Sequence, residues 1–497
     1  MQRVHIEFQR VQTWLFAVPR LRAMVGANTV LGETLRIELR KLARKTGRWA
    51  LGPFASNTAA YPGADSDDPL HGHDNPAADA ECGILARDGG HFEALFASGA
   101  HEFADEARKL IQERLPGLRF RITIDGVEVP KSQAHLSTEL PVLEPCEWTG
   151  HGLASAIIEQ GNERLAVSLD VESRHQAAKK SEEGKALDLV SLLVSATKLK
   201  NLQHPQDLEE LVGKGYLALI QADGNSVGSA AAGKSDDEAR AQFFHRNRVL
   251  LRRALQQAIN AHSPDQGQAP LVPLMLGGDD ILVVCRAEIV LPFVVTLCKA
   301  LDELQPEDDS DFKLTLGIGV VIAKPTVPIH RLHAVAEQLA SSAKRRFRGL
   351  KEAGEQVRSV VDWAVYTTTW VDDPGEVRRR DWLCGTAQNL RILSQRPLDV
   401  LGEGLGTLQD LVAGAEKLKN APRSQLRYLV DQLPRGRALS ELAFAELAAE
   451  ARSALENAGV EKLWKQVSNN GRWMTELLDL VEVAEIARLG ESAALTT

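Results

Sequence analysis

Short apolar runs alternate with longer amphipathic segments between residues 216 and 366. A short apolar run bounded by polar residues is typical of a buried strand, whereas apolar positions three or four residues apart are typical of a helix. The predicted elements are, in order, a strand at 216–220, a helix at 236–261, a hairpin at 271–285, a helix at 286–303, a strand at 313–323, a helix at 328–350 and a strand at 359–366. With the hairpin counted as two strands, the series begins with the βαββαβ order of a ferredoxin-like domain. That order is the core of palm-type polymerases and nucleotide cyclases.

The N-terminal part of the chain repeats this order less regularly. It predicts a strand in "RVHIEF", a helix at 26–45, a hairpin with a Gly-Gly turn at 83–96, a helix at 99–115 and a strand at 118–124. We interpret the two parts as a degenerate internal duplication. They differ at the hairpin tip, where the first copy reads "DGGH" at 88–91 and the second reads "GGDD" at 277–280.

The remaining segments give an α+β fold class with four parts. Residues 1–130 are a first palm-like domain, 131–210 a connecting region, 211–370 a second palm and 371–497 a helical domain. From about residue 385 onward, Leu and Ala recur with helical spacing and no strand-like run is visible. The last part is therefore predicted to be a small helical domain.

Composition and charge exclude several classes of protein. The chain has 497 residues, of which 44% are hydrophobic and 25% charged, and its formal net charge is −9. The chain lacks both an apolar run of membrane-spanning length and the order of a signal peptide, which predicts a cytoplasmic protein without a membrane partner. The acidic balance argues against non-specific coating of nucleic acid. Five scattered cysteines without a C-x-x-C pair fit a reduced compartment.

The tip of the second hairpin places two carboxylates between apolar runs. Gly277, Gly278, Asp279 and Asp280 lie between "LVPLM" and "ILVVC", and such a sequence alone usually marks a turn. Asp223 follows the first strand of the same palm, which neighbours the hairpin in a βαββαβ sheet. The three carboxylates are thus expected to converge and to repel one another unless cations bind. Two Mg²⁺ or Mn²⁺ ions would suit such ligands and a nucleotide phosphate.

Other residues near this tip are candidates for nucleotide binding. Gly277 and Gly278 allow close approach of phosphate to the backbone, and the loop with Gly224, Asn225 and Gly228 can supply N–H groups. Lys344, on the helix predicted at 328–350, would reach a triphosphate as a point charge, although an exposed basic helix face is an equal alternative.

Weaker candidates lie elsewhere. Ser341 and Ser342 precede Lys344 on the same helix. His71, His73 and Asp74 could be drawn as metal ligands, but they lie in a loop rich in Ala, Asp, Pro and Gly, and a solvated loop is the favoured interpretation.

These motifs resemble those of one protein family. "ADGNSVG", "LGGDDILVV", "LTLGIGVVIA" and "SSAKRR", in this order, are similar to the second palm of the large polymerase subunit of type III CRISPR effectors. "VQTWLFAVPRLRAMVGANTVLGETL" and "GGHFEALF" resemble its first palm, whose hairpin lacks the catalytic pair. The resemblance covers about residues 1–130 and 211–370.

The resemblance implies a function and a set of site residues. Members convert ATP, with Mg²⁺ or Mn²⁺, into cyclic oligoadenylates that act as second messengers in antiviral defence. Asp279 and Asp280 match the metal-binding aspartates, Asp223 the acidic residue on the first strand, and Gly277 and Gly278 the turn glycines. Other effector subunits, guide or target RNA and a second copy of the chain are the implied partners.

The chain also departs from the family pattern. It starts at the first palm, without the HD-type nuclease domain that many members carry, so DNA cleavage by that route is not expected. Where members often have four zinc cysteines, residues 144–156 keep Cys146 alone, which makes the connecting region a degenerate zinc ribbon and zinc doubtful.

Three functions are consistent with these features. The favoured one is a metal-dependent nucleotidyltransferase that makes a cyclic oligonucleotide from ATP, with chemistry in the second palm and the acceptor nucleotide in the first. A cyclic dinucleotide synthase of GGDEF type is an alternative, although such enzymes need a homodimer to bring two palms together. The third is a non-catalytic scaffold subunit of an RNA-guided complex.

Overall fold

A computed structural model describes most of the chain. The described residues are 1–46, 48–49, 68–70, 73, 83–130, 145–150, 152–160, 163–305, 312–367, 373–386, 389–468 and 472–490. Within them the chain forms two six-stranded sheets, a four-stranded sheet and a two-stranded hairpin. In the described part of the chain, no helix combines the length and the apolar character needed to cross a membrane.

The second palm has the predicted ferredoxin-like topology. Its strands and helices are β9 (Leu217–Gly224), α8 (Val227–Ala232), α9 (Asp237–His262), β10 (Leu271–Leu276), β11 (Asp280–Arg286), α10 (Ala287–Glu303), β12 (Leu316–Ala323), α11 (Ile329–Glu352) and β13 (Val360–Tyr366). The strand order is β10-β11-β9-β12, which is the order that βαββαβ connections produce. The parallel strand β13 and the short β16 (Leu398–Asp399) extend the sheet beyond β12.

This sheet is covered on both faces, which explains its continuous apolar runs. Ala218, Ile220 and Ala222 of β9 belong to the core that contains α9 and α10. Leu217 and Leu219 of the same strand belong to the other core, shared with α11 and the first palm. A strand buried on both faces loses the alternation of apolar and polar residues.

The first palm repeats the topology around its own sheet. Its elements are β1 (Gln2–Gln9), α1 (Val11–Leu15), α2 (Leu21–Glu33), α3 (Leu39–Thr46), β2 (Arg48–Trp49), β3 (Ile84–Ala86), β4 (His91–Ser98), α4 (Ala100–Arg114), β5 (Arg119–Ile124) and β6 (Val127–Glu128). The strand order is β2-β4-β1-β5-β6, with β3 also paired to β4. The two-palm prediction is therefore confirmed. The helix predicted at 26–45 begins earlier, at Leu21, and passes through a π-helical turn at 34–38.

The two palms share one hydrophobic core. Leu15 and Met24 of the first palm lie in the same cluster as Leu274 and Val284 of the second. At the edge of this contact, the rings of Phe16 and His333 lie 4.8 Å apart between centroids. The palms therefore form one packed unit rather than two independent domains.

The connecting region docks on the first palm. It contains the hairpin β7 (Ala156–Gln160) and β8 (Glu163–Val167), followed by α5 (Leu169–Glu182), α6 (Leu189–Ser195) and α7 (Leu208–Val212). Helix α5 packs so closely on α2 that a Cβ on Gly26 would lie 1.9 Å from the carbonyl oxygen of Arg174. Cys146 is buried in a small apolar cluster with Ile158 and Val167.

The C-terminal part is largely helical but not helical throughout. Its helices are α12 (Pro374–Val377), α13 (Leu408–Lys417), α14 (Arg423–Gln432), α15 (Arg437–Ala445), α16 (Ala449–Asn457) and α17 (Leu477–Ala487). The prediction that this part has no strand is wrong. Strands β14 (Leu383–Thr386), β15 (Asn389–Ile392), β17 (Lys465–Ser468) and β18 (Arg472–Met474) form a sheet in the order β14-β15-β18-β17. They have only three or four residues each, with apolar and polar side chains mixed, so they are too short for a periodicity to reveal them.

Two glycines of β12 seat helix α11 on the second palm. A Cβ on Gly319 would lie 2.1 Å from the carbonyl oxygen of Ala336, and one on Gly317 would lie 2.6 Å from Cγ of Lys344. Glycine in a strand interior often marks such a close backbone approach. The "GIG" of β12 thus fixes the distance between the sheet and the helix that carries Lys344.

We expect Gly319→Ala to lower the free energy of unfolding by about 1–3 kcal/mol, because the added methyl group forces α11 off the sheet. Gly349→Ala, at an open position of the same helix, should instead raise it by up to ~1 kcal/mol. Denaturant unfolding of both variants would test this, and equal stability of the two would contradict the close-packing argument.

Candidate active site at the tip of the second palm

Strand pairing brings three carboxylates together at the tip of the second palm. Strands β9 and β11 are antiparallel, and Asp223 lies directly opposite Asp280 in their register. Asp279 joins them from the turn between β10 and β11. One carboxylate oxygen from each of the three lies within 4.8 Å of the others. The convergence expected from the topology is therefore present in the structure.

The environment of this cluster favours protonated carboxyls. Burial, followed by the negative charge of Asp223, raises the pKa of Asp279 to about 6. The same two causes, with the added charge of Asp279, raise the pKa of Asp280 to about 8. Carboxylates held this close gain free energy when a cation binds between them.

Lys344 supplies a positive charge beside the cluster. Its Nζ forms an ion pair with Oδ2 of Asp223, and its side chain is 29% exposed. Helix α11 reaches this position because it crosses β12 at Gly317, which has no side chain to hold it away. Lys344 is therefore not a purely solvated residue of the helix face, whereas its contact with a triphosphate stays a prediction.

The glycines around the cluster have distinct steric roles. A Cβ on Gly224 would lie 3.0 Å from both Cβ and Oδ2 of Asp279, so a side chain there would displace that carboxylate. The N–H of Gly277 donates to the carbonyl oxygen of Asp280 at 2.8 Å and closes the turn. Added Cβ atoms on Gly278 and Gly228 would meet nothing within 4 Å in the described part of the chain.

The loop after β9 is held by hydrogen bonds that its sequence does not reveal. The N–H of Gly224 donates to the carbonyl oxygen of Asp279, and the N–H of Asn225 donates to that of Thr315. The buried side chain of Asn225 also donates to Oγ1 of Thr315 at 3.1 Å. These two N–H groups are thus already engaged within the protein, and phosphate binding by this loop stays a prediction.

The remaining candidates are not members of the carboxylate cluster. Ser341 is exposed, and Ser342 is buried and accepts a hydrogen bond from Arg378. His73 is exposed, and its carbonyl oxygen accepts from Arg36, whereas His71 and Asp74 lie outside the described residues. Of the described residues, those placed to hold a metal ion are Asp223, Asp279 and Asp280.

A cavity of about 270 Å³ opens beside the cluster, between the two palms. Its second-palm wall includes Met275, Leu276, Gly277 and Asp280. The first palm and α6 contribute a larger share, in which the polar members are Arg10, Gln12, Asn28, Arg36, Arg87, Asp88 and Asp188. Sequence reasoning assigned a site role to none of these residues. They come from distant segments, and even those within the stretches that resemble the first palm, such as Gln12 and Asn28, show no chemical pattern of their own.

The tips of the two palms meet at the mouth of this cavity. A Cβ on Gly89, which has φ +62°, would lie 3.6 Å from the backbone nitrogen of Gly278. Next to Gly89, the buried carboxylate of Asp88 pairs with Arg36 of its own palm at 3.0 Å and with Arg248 of the second palm at 2.6 Å. This ion-pair network fixes the distance between the palms because a buried carboxylate is costly to leave unpaired.

The cluster fits divalent cations. Three carboxylates are hard oxygen ligands of the kind that Mg²⁺ and Mn²⁺ bind, and they are partly open to solvent on the side of Lys344. Their raised pKa values show that the protein alone does not compensate their charge. The fold and the site together define a two-palm protein whose second palm carries an acidic, metal-type centre.

Comparison with known proteins places this palm in a family. Residues 216–351 match the family model of the Cas10/Cmr2 second palm domain. This segment is thus similar to a Cas10/Cmr2 second palm, which confirms the resemblance seen in its motifs. A search of curated proteins found no match.

Solved structures of the Csm1–Csm4 cassette have a similar fold. The chain is similar to that of the cassette in complex with cA4, at 12% identity and a TM-score of 0.50, over 98% of this chain and 69% of the other. The cassette in complex with pppApApA matches at 13% identity and a TM-score of 0.49, over 98% and 69%. Csm1 of T. onnurineus matches at 13% identity and a TM-score of 0.45, also over 98% and 69%. The first of these matches supports the two-palm fold with its helical C-terminal part.

The raised pKa values predict how the stability of the metal-free protein depends on pH. An unfolded Asp loses its proton near pH 4, whereas folded Asp279 and Asp280 keep theirs to about pH 6 and 8. The folded state therefore holds more protons in this window, and its stability falls as the pH rises through it. We expect Asp280→Asn to raise the Tm by ~2–4 °C at pH 8 and to leave it almost unchanged at pH 5, where Asp280 is already neutral.

Thermal unfolding in chelator from pH 5 to 8 measures this effect. Asp265→Asn, at an exposed position, serves as the control and should show no gain at pH 8. A Tm for Asp280→Asn equal to that of the wild type at pH 8 would contradict the repulsion between the carboxylates.

Proposed function

We propose that the chain is a metal-dependent nucleotidyltransferase that joins ATP into a cyclic oligonucleotide. The observation that carries this proposal is the carboxylate cluster with Lys344 at the tip of a Cas10/Cmr2 second palm, beside a cavity that the first palm completes. A structural turn needs neither the third carboxylate nor the lysine.

Asp223, Asp279 and Asp280 would hold the metal ions. Bound there, Mg²⁺ or Mn²⁺ ions would promote attack of a 3′-hydroxyl on an α-phosphate and departure of pyrophosphate. The residues of the chain keep the three carboxylates in position: the β9–β11 register aligns Asp223 with Asp280, and Gly224 leaves space for Asp279. Such fixed positions reduce reorganisation during the reaction.

Lys344 is placed to bind the polyphosphate of the donor nucleotide. Its Nζ lies at Asp223 and can exchange this partner for a phosphate oxygen when a nucleotide adds negative charge to the site. Gly277 and Gly278 carry no side chain that would block the approach from the turn.

The first palm would hold the acceptor nucleotide. Its tip has Asp88, whose carboxylate is taken by Arg36 and Arg248, and so it offers no free acidic pair for metal. The cavity between the palms lies next to Asp280, within reach of the reacting centre. Since both palms belong to one chain, the homodimer that GGDEF-type synthases need is not required, which favours the oligonucleotide cyclase over that alternative.

The similar structures support the choice of substrate and partners. The solved Csm1–Csm4 cassettes were obtained with cA4 and with pppApApA, which points to adenosine nucleotides. By the same analogy, the chain would work with a Csm4-like subunit in an RNA-guided complex of antiviral defence.

The double variant Asp279→Ala/Asp280→Ala tests the proposal. We expect pyrophosphate release from ATP with Mg²⁺ or Mn²⁺ to fall at least ~100-fold, because both metal ligands of the tip are lost. Each nucleoside triphosphate should be tested with mass analysis of products, and Asp265→Ala serves as a surface control.

Two outcomes would contradict the proposal in different ways. Turnover that survives in the double variant would overturn the assignment of the metal ligands. The absence of product from every nucleotide, with and without RNA and a partner subunit, would instead support the scaffold function.

Lys344→Ala tests the polyphosphate contact. The affinity for ATP should fall about tenfold or more, while the affinity for AMP should change little, because AMP lacks the β- and γ-phosphates. Lys351→Ala, at an exposed position near the end of the same helix, is the matched control. Equal losses of ATP and AMP binding would assign Lys344 to the stability of the carboxylate cluster alone.

A further inference from the structure

The cavity between the palms, called the slot below, has a volume and a lining that suit a nucleobase. Its walls are lined by apolar side chains from both palms and α6, namely Val11, Leu31, Leu35, Leu189, Met275 and Leu276. Its volume of about 270 Å³ lies just below the range of pockets for drug-sized ligands, which suits a single nucleobase with part of its sugar. Asp280 both lines this cavity and belongs to the carboxylate cluster, so the sugar and phosphate of such a ligand would lie near that cluster.

Asn28 of α2 lies in this slot in a fixed orientation. Its Nδ2 donates to Oδ1 of Asp188 at 2.9 Å. Asp188 also accepts from the N–H groups of Val190 and Ser191 and from the Ser191 hydroxyl, so it acts as an acceptor and Asn28 must present its NH₂ group to it. Among the described residues, Oδ1 and the second Nδ2 hydrogen of Asn28 have no hydrogen-bond partner.

The support behind Asn28 is rigid. Asp188 is 1% exposed and caps the N-terminus of α6. Helix α2 touches it closely, since a Cβ on Gly32 would lie 2.6 Å from Cβ of Asp188. A side chain held by a buried capping residue discriminates between ligands better than a mobile one, because it cannot turn to suit the wrong partner.

We propose that Asn28 reads the base in this slot and selects adenine through its 6-amino group. Oδ1 accepts from the exocyclic amine, and the remaining Nδ2 hydrogen donates to the adjacent ring nitrogen, which is the bidentate pairing of an amide with adenine. Guanine and uracil carry a carbonyl oxygen where the amine of adenine stands, and this oxygen is repelled by Oδ1. Cytosine has the amine but fills less of the slot. This assignment rests on the proposed function and adds to it the residue that recognises the base of the nucleotide.

The other polar groups of the slot are less suited to this role. The carboxylate of Asp88 is engaged by Arg36 and Arg248. Gln12 also lines the slot, but it belongs to the five-residue helix α1, and no hydrogen bond among the described residues fixes its amide. Gln12 is therefore the matched control, as a second amide in the same cavity.

A substrate that lacks the 6-amino group provides the test. Initial rates of pyrophosphate release should be compared for ATP and purine riboside triphosphate, and binding should be compared for AMP and purine riboside monophosphate. We expect the wild type and Gln12→Ala to favour the amine-bearing nucleotide about 10- to 100-fold in both measurements. Asn28→Ala should reduce this ratio to within about twofold, chiefly by weakening the adenine nucleotide.

A second variant distinguishes a loss of base recognition from a loss of folding. Asp188→Ser keeps a capping oxygen for α6, but its side chain is one bond shorter and no longer reaches the amide of Asn28, so Asn28 is free to turn over. The adenine preference should then fall about tenfold although Asn28 is still present, while the thermal unfolding of the protein shifts little.

The outcomes separate this inference from the proposed function. A wild type that turns over no nucleotide and binds none refutes the proposed function. A wild type active on ATP, with Asn28→Ala retaining the full preference for the 6-amino group, overturns the role of Asn28 and leaves the nucleotidyltransferase intact.

Discussion

The concentration of negative charge at one strand end is the constraint on which the rest of the site depends. The register of β9 against β11 sets Asp223 opposite Asp280, and the turn adds Asp279. No backbone hydrogen bond needs three carboxylates here, and their mutual repulsion opposes folding. Two features accommodate this repulsion. Lys344 forms an ion pair with Asp223, and Gly224 has no side chain that would displace the carboxylate of Asp279. A tip of this kind is poised to receive positive charge from outside the protein.

That same tip is also the place where the two palms touch. Gly89 and Gly278 approach within contact distance, and Asp88 is shared between Arg36 and Arg248 across the boundary. The hairpin of the first palm thus carries an aspartate that pairs with arginines, whereas the hairpin of the second palm carries two members of the carboxylate cluster. The difference follows from two residues at the tip of an otherwise common fold.

Local and topological signals were enough to predict the second palm. Its strands are continuous apolar runs. The βαββαβ order alone places the end of the first strand beside the hairpin, so the sequence is enough to predict that Asp223 lies close to Asp279 and Asp280. The cavity residues could not be found this way. Asn28 and Asp188 are 160 positions apart, as are Asp88 and Arg248, and neither pair belongs to a motif. The C-terminal sheet was missed because strands of three or four residues are too short to show a periodicity.

The tip-to-tip contact has a consequence for how a polymer would be made. The chain brings two palms together but equips one of them with an acidic centre, so every new bond, including the one that closes a ring, would form at a single place. After each addition, the strand must therefore shift by one unit across the fixed boundary between the palms. Because the two palms form a rigid unit with one reacting centre, the product must move between additions. The rate of synthesis would then depend on this movement as much as on the chemical step.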